Sequence, residues 1–452
     1  MVFYFVQDGE TLYAIAKRYG TTVHAILSTN RLEDPNTISP GQALIIPRAG
    51  EVPSPPPGGI PHLVRKGETL FHLADRYGVG VPEILRANQL AHPEFVVQGQ
   101  QLVIPERLEM AADWPMWGRT AARVRSSPIS LQGSPVLQWS FQPRRPIGVI
   151  PSAPVVRYGR TYAVLGDGQL YALDRHAGRV KWRFALAGEE SAGVPMVTPC
   201  VYDGLIYACE PGGTVHALSA QSGRRVWRFV LDGSVEAAPV VVDGVVLVIT
   251  QAGRVVALEG KTGALVWQRT LDLPVRQPPA VGGGQLFVVA ETGRLVALEM
   301  ETGELGWEAE AKTGHGPVYA ELLVLVGGEA FDPKTGQIAW ESPTGDGAPI
   351  VKLDQVIYQA GACDLFSGVR VGTLAGKLGA LCWQAAAGDH LVGMDQEFLY
   401  GWDVGEERVA WRVALPGRPA QGPVVTRQQV LYTLADGGMA SFSFVMEDEG
   451  EA

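Results

Sequence analysis

The sequence predicts a multidomain chain: two small α+β modules of strand–helix–helix–strand order, then an all-β propeller of eight four-stranded blades. Three observations predict it. Residues 2–48 and 61–106 repeat one another at a constant offset of 58 residues. A proline-rich stretch, 49–60, separates the two copies. From Trp114 onward a second pattern recurs about every forty residues, a period typical of stacked four-stranded units.

Size and composition agree. At 452 residues the chain is too long for one ordinary domain. A hydrophobic content of 46% with 19% charge supplies packed cores and argues against disorder. The 55 glycines and 32 prolines fall at turn-like positions, as expected of many short strands. A net charge of −10 without a Lys/Arg cluster speaks against a nucleic-acid partner. The acidic tail, 447–452 (Glu447, Asp448, Glu449, Glu451), reads as solvated chain end.

In the first module, Phe3–Val6 is rich in β-formers. Leu12, Ile15, Ala16 and Tyr19 then follow helical spacing and define one apolar face. Thr11 is placed to cap that helix and Gly20 to end it. A short second helix from about Val23 to Asn30 turns Val23, Ile26 and Leu27 inward. The closing strand is Ala43–Ile46, ended by Pro47. The second copy returns Gly67-Glu68-Thr69-Leu70 for Gly9-Glu10-Thr11-Leu12, and Ile84, Leu85, Asn88 and Leu90 for Ile26, Leu27, Asn30 and Leu32. Its second helix carries Pro82 near the first turn, where proline is tolerated.

These residues resemble the LysM family, whose modules bind N-acetylglucosamine-containing glycans such as peptidoglycan and chitin. The resemblance implies a shallow sugar groove between the first loop and the loop after helix two. By position it implies Gly9, Thr11, Leu12, Asn30, Leu32 and Ile38 in the first copy. In the second it implies Gly67, Thr69, Leu70, Asn88, Leu90 and Val96. Leu12, Leu32 and their counterparts have a competing reading as core. The acidic residue after the loop glycine is Glu in both copies (Glu10, Glu68), a mild departure. Between the copies, the proline run favours a semi-rigid polyproline II spacer, which keeps two weak sites co-available on a repeating polymer.

The second repeat consists of a proline-led strand, a turn, a strand, a glycine turn, a strand holding Ala-Leu, and then Gly-x-x-x-Trp. Proline-led starts stand at Pro154, Pro195, Pro239, Pro279, Pro317, Pro349 and Pro423, with one start near Gly379 lacking its proline. That makes eight units. The Gly-to-Trp step recurs at Gly178/Trp182, Gly223/Trp227, Gly263/Trp267, Gly303/Trp307 and Gly336/Trp340. In unit six Gly372 replaces the tryptophan after Gly368; in unit seven Glu407 replaces the glycine before Trp411. The tryptophans, with Trp139, are expected to fill wedges between adjacent sheets. The last unit lacks an outer tryptophan strand. The segment Pro135–Phe141 has that strand's sequence and is expected to close the ring, removing an exposed edge.

Over 113–446, within a propeller domain bounded at 107–446, the repeat resembles the quinoprotein-like (PQQ-type) propeller family. The docking tryptophans point to the fold and not to a cofactor. Enzymes of the family bind a quinone with calcium and commonly carry an adjacent cysteine pair, and no such pair occurs here. Non-enzymatic relatives of the BamB type use the ring as a protein-binding platform and carry a lipobox near the start, which this sequence lacks.

Other chemistry finds little support. Cys200, Cys209, Cys363 and Cys382 show no C-x-x-C spacing, so no zinc or thioredoxin-like site is expected. Cys200 and Cys209 are expected as buried free thiols on one face of a hairpin. Glu189-Glu190 and Glu308/Glu310 read as solvated loop neighbours and not as a glycosidase pair. His315 reads as an exposed loop residue, and Gly282-Gly283-Gly284 as a turn before a strand. No metal and no cofactor is expected. No stretch of 18 apolar residues occurs. The start, Met1–Val6, has no basic region or cleavage site of a secretory signal.

The expectation is therefore a non-catalytic protein. Its first modules hold peptidoglycan or another N-acetylglucosamine polymer, and its ring serves as scaffold for an unidentified protein. The expected setting is the cell or spore envelope, with the cytoplasm as alternative. The competing readings are a quinone-dependent oxidoreductase and an intracellular or spore-envelope assembly protein that uses the modules structurally.

Overall fold

The computed structural model describes 131 and 133–445, apart from 321–322, 343–348, 353–354, 359–360, 365–369, 374–381, 388–389, 404–405, 407 and 427–428. Before that it describes 2–6, 43–46, 59–64, 100–105, 126–127, and single positions such as Ile15, Arg18, Leu73, Ile84, Asn88, Leu90 and Met116. The chain divides into two compact units, Met1–Arg107 and Leu108–Ala452.

The first unit contains two separate two-stranded antiparallel sheets. Val2–Phe5 pairs with Ala43–Ile46, placing Val2 opposite Ile46 and Tyr4 opposite Leu44. Gly59–Leu63 pairs with Gln101–Pro105, placing Ile60 opposite Ile104 and His62 opposite Leu102. The offset of 58 thus survives as an identical register. Gly59 and Ile60 belong to the second module's sheet, which moves its start two residues ahead of the 61 boundary read from sequence: Gly59 already pairs with Pro105. Ile15, Leu73 and Ile84 are helical and fully buried, at the inward positions of the apolar faces. Alternation does the rest: Val64, Leu102 and Ile104 point into the second core. The spans of the predicted helices otherwise lie outside the described residues.

In the second unit eight sheets follow one another among the described residues, each with four consecutive or nearly consecutive strands. The first is Val155–Arg157, Arg160–Val164, Gln169–Asp174 and Val180–Ala185, every neighbour antiparallel. The next five occupy 200–230, 240–270, 280–310, 318–341 and 350–373. The seventh, 382–414, gains a fifth strand on its innermost edge, where Ser126–Ser127 runs parallel to Cys382–Ala387. The eighth takes three strands from 419–445 and its outer strand, Ser134–Phe141, from ahead of the first sheet. The array is joined end to end by that strand.

Burial explains the strand composition. Second and third strands read iBBBB and iBBBBi, buried on both faces, because each sheet is covered by its neighbours on either side. Outer strands read eeieie, exposed except for the inward-turned residues. Fully buried Tyr162, Tyr207, Phe287, Phe331 and Tyr432 occupy the inter-sheet space.

The two sequence motifs meet across one hairpin. Trp182, Trp227, Trp267, Trp307 and Trp340 each lie opposite the alanine of the Ala-Leu pair (Ala172, Ala217, Ala257, Ala297, Ala330), and the register shifts there each time. Alanine leaves room for the indole. Each ring then reaches the next sheet. Trp139, Trp182, Trp227, Trp267 and Trp307 lie against Gly178, Gly223, Gly263, Gly303 and Gly336, all at positive φ. Their indole N–H groups donate to the carbonyls of Arg175 (2.9 Å), Ala220 (3.0 Å), Gly260 (2.7 Å), Met300 (3.0 Å) and Pro333 (2.7 Å). The rings enter the wedge between sheets to different depths: Trp139, Trp267 and Trp340 are buried. Trp182, Trp227 and Trp307 stay partly exposed, and buried Tyr162, Tyr207 and Phe287 stand behind them at 5.9, 5.9 and 6.0 Å.

The two departures noted in units six and seven fall at one junction. A tryptophan of one sheet docks on the glycine of the next, so the repeat pattern pairs the missing tryptophan (Gly372) with the missing glycine (Glu407), which itself lies outside the described residues. Glycine is needed only where an indole covers it. Trp411 is the converse case. Its target would be the last hairpin turn of the eighth sheet, but the two strands there come from opposite ends of the unit and share no turn. Trp411 packs edge-on against Phe444 at 5.1 Å instead, and its N–H is buried without a partner among the described residues.

Candidate functional site

Of the twelve glycan positions implied by sequence, the described residues include Asn88 and Leu90; the other ten lie outside them. Asn88 closes a helical turn, its N–H bonding to Ile84 O at 3.0 Å. Its side chain spans from that turn to the closing strand. Nδ2 donates to Ile84 O (2.8 Å) and Val103 O (2.6 Å), while Oδ1 accepts from Val103 N (2.6 Å). The amide is thereby occupied within the module and fastens the end of helix two to Gln101–Pro105. Leu90 is 8% exposed and belongs to the core. The sequence could place these residues at the groove wall; it could not reveal which way their side chains turned.

The second unit holds one polar cluster at the seam between first and last sheets. Arg175 is buried; its Nε donates to Gln429 Oε1 (2.6 Å) and its Nη2 to Thr426 Oγ1 (3.0 Å). Gln429 in turn donates to Gln138 of the closing strand. The same turn position holds Ala220, Gly260, Met300 and Pro333 at the other docked junctions, so the polar device belongs to the seam. Sequence periodicity missed it, although Arg175 was visible as the odd residue in that column. Replacing Arg175 with methionine is expected to leave Gln429 Oε1 buried without a donor and to remove the donor to Thr426 Oγ1. The loss should be about 2–4 kcal/mol in urea unfolding, against less than about 0.5 kcal/mol for methionine at exposed Arg179.

Cys200 and Cys209 are free and buried in one hairpin; Cys200 lies opposite Tyr207, which puts Cys209 diagonal to it. Burial pushes the Cys200 thiol well above its ordinary range and Cys209 up to about 12. Both are therefore protonated and poor nucleophiles at neutral pH. Ellman's reagent should find neither in the native protein and both after unfolding.

Two other readings from sequence need correction. Glu308 and Glu310 are not in a loop: they stand on the outer strand Leu305–Glu310, where Glu308 accepts a hydrogen bond from Arg294 Nε at 3.1 Å. Glu189 and Glu190 do lie in a connection, as one short 3₁₀ turn. His315 is only part-exposed, and its Nδ1 meets Thr313 Oγ1 at 3.0 Å. Among the described residues no group of three or more His, Cys, Asp or Glu side chains is placed to hold a metal ion, and no helix is long and apolar enough to cross a membrane.

Comparison with known proteins agrees with this division. Residues 4–47 and 62–105 match the LysM domain family. Residues 136–228 and 211–330 match the family described as outer membrane protein assembly factor BamB. The chain thus carries two LysM domains ahead of a BamB-like region of quinoprotein-type repeats. A probable autolysin, SsaALP, of Staphylococcus aureus is 36% identical over 112 residues, 22% of this chain and 39% of that protein. The N-acetylmuramoyl-L-alanine amidase XlyA of Bacillus subtilis is 42% identical over 77 residues, 16% of this chain and 26% of its own length. The chain therefore spans well under half of these two relatives. Among solved structures, BamB from Moraxella catarrhalis has a TM-score of 0.54 at 18% identity, covering 69% of this chain and all of that one. A europium-containing methanol dehydrogenase has 0.60 at 13% identity, covering 74% and 99%. At such identities the likeness is one of fold, and the fold is that of a β-propeller.

Proposed function

We propose that this protein is a non-catalytic envelope tether. Its two LysM domains hold peptidoglycan or a related N-acetylglucosamine polymer, and its propeller, read as eight blades from the eight sheets, presents a rigid platform to a protein partner. The observation that carries the reading is the duplicated module: two LysM matches built on one strand register. Two weak sites on a short proline-rich spacer raise avidity for a polymer with repeating sugars. We place sugar contact on Gly9, Thr11, Leu12, Asn30, Leu32 and Ile38, and on Gly67, Thr69, Leu70 and Val96. Asn88 and Leu90 act as the groove's internal supports. Relatives named as an autolysin, and as the sporulation-specific glycosylase YdhD of Bacillus subtilis, support an association with cell wall or spore envelope. In a pull-down on purified peptidoglycan the full chain should be retained, and a variant without 1–106 should be lost to the supernatant. Equal retention of both would refute the tether.

The second reading, a quinone-dependent oxidoreductase, has the dehydrogenase-like fold in its favour. A binding quinone with calcium would raise the melting temperature by mass action; the tether reading expects no shift.

A further inference from the structure

The outer strands of the propeller carry charge sorted by position around the ring. The residue after the docking tryptophan is Arg183 in the first sheet, Arg228 in the second, Gln268 in the third, Glu308 in the fourth and Glu341 in the fifth, all exposed. Strands Val180–Ala185 and Arg225–Val230 hold four cations and no acid: Lys181, Arg183, Arg225 and Arg228. Strands Leu305–Glu310 and Ile338–Glu341 hold three acids and no cation: Glu308, Glu310 and Glu341. Part of this charge is met locally, Lys181 by Asp174 at 3.0 Å, Glu308 by Arg294 and Glu341 by Lys312. Arg225, Arg228 and Glu310 have no ion-pair partner among the described residues.

Apolar exposure follows the same strands. Among the described residues, ten of the twelve large exposed hydrophobic side chains are on outer strands, among them Val226 (52%), Val230 (65%), Leu305 (40%) and Ile338 (48%). Each outer strand also ends its sheet, so one side of its backbone has no ladder partner within the sheet. Charge on such an edge is a common defence against unwanted pairing, but that defence works with either sign. Sorting the signs into a cationic arc and an anionic arc is a different property. It makes one part of the rim complementary to another.

We propose that a second copy of this chain docks rim to rim, its anionic strands 305–310 and 338–341 against the cationic strands 180–185 and 225–230 of the first. A polyanion would engage the cationic arc alone and leave the anionic arc and the apolar rim residues without a role. A second copy uses all three. The two patches differ, so the contact is heterologous and adds copies in a row instead of closing a twofold dimer. Ionic attraction steers the approach and the exposed valine, leucine and isoleucine side chains supply the buried area.

Sedimentation equilibrium of the full chain tests this. At low ionic strength the average mass should rise with concentration, and at about 1 M salt, where screening acts over about 3 Å, it should return to that of one chain. R225E/R228E and E308R/E310R should each remain single chains alone. Mixed, they should associate and grow again, since the native arcs pair with each other and the two reversed arcs are complementary as well. Circular dichroism of both variants controls for folding. A wild-type chain that stays single at every concentration overturns the proposal, as does association that both variants leave intact. A single chain that binds polyphosphate and loses it in R225E/R228E also overturns it, assigning the cationic arc to a polyanion.

Discussion

Alanine at Gly223 is expected to cost the propeller far more stability than alanine at Gly244. Both glycines hold positive φ, +70° and +80°, so both substitutions carry a left-handed strain of about 1–2 kcal/mol. They differ in what the new methyl meets. At Gly244 nothing lies within 4 Å, whereas at Gly223 the methyl would stand 2.6 Å from Cδ2 of Trp182. Trp182 cannot withdraw without giving up its hydrogen bond to Ala220 O and its contact with Tyr162. Overpacking of this kind adds about 1–3 kcal/mol. Urea unfolding of the two variants isolates the docking contribution as their difference. Equal losses would mean that the indole does not bear on the next sheet. Truncating Trp182 to alanine approaches the same contact from the other side and should cost about 3–5 kcal/mol.

The second large effect is expected at Asn88. Alanine there removes three side-chain hydrogen bonds at once and leaves Val103 N–H and O in a partly buried strand without their partners. Each unmet group costs about 1–3 kcal/mol. A module of some 45 residues has little stability in reserve. The second LysM domain should therefore lose its protected amides while the first keeps its own, read by hydrogen exchange. Retention on peptidoglycan should fall more than twofold, because avidity requires both modules. Asn88→Asp keeps an acceptor for Val103 N–H but sets its second carboxylate oxygen against the carbonyls of Ile84 and Val103, so at neutral pH its effect should be at least that of alanine.

The periodic parts of this protein were legible in the sequence, and the singular parts were not. A repeat prints its inter-sheet contacts many times over, so the Ala-Leu and Gly-x-x-x-Trp columns exposed the docking even though the two halves sit on different sheets. The role of Pro135–Phe141 as the closing strand followed from the same columns, since the last unit lacked what that segment had. What occurs once shows at most as an odd residue in a column. Arg175 at the seam, the orphaned indole of Trp411 and the strand Ser126–Ser127 all depend on where the two ends of the array of sheets meet. The recurring tryptophan column pointed to the wedge between sheets, where Trp139, Trp267 and Trp340 are buried while Trp182, Trp227 and Trp307 stay partly exposed. Outer strands lie at the rim, and the interior is filled by Tyr162, Tyr207 and Phe287 on second strands. In the LysM domains the position of Asn88 was readable, while its inward commitment depended on a strand fifteen residues further on.

Glycan capture by the N-terminal pair bears most directly on the tether. Isothermal titration of the full chain with a soluble N-acetylglucosamine hexamer should give saturable heat that Asn88→Ala weakens and removal of 1–106 abolishes. Heat that persists undiminished after that removal, or none from the intact chain, would contradict it.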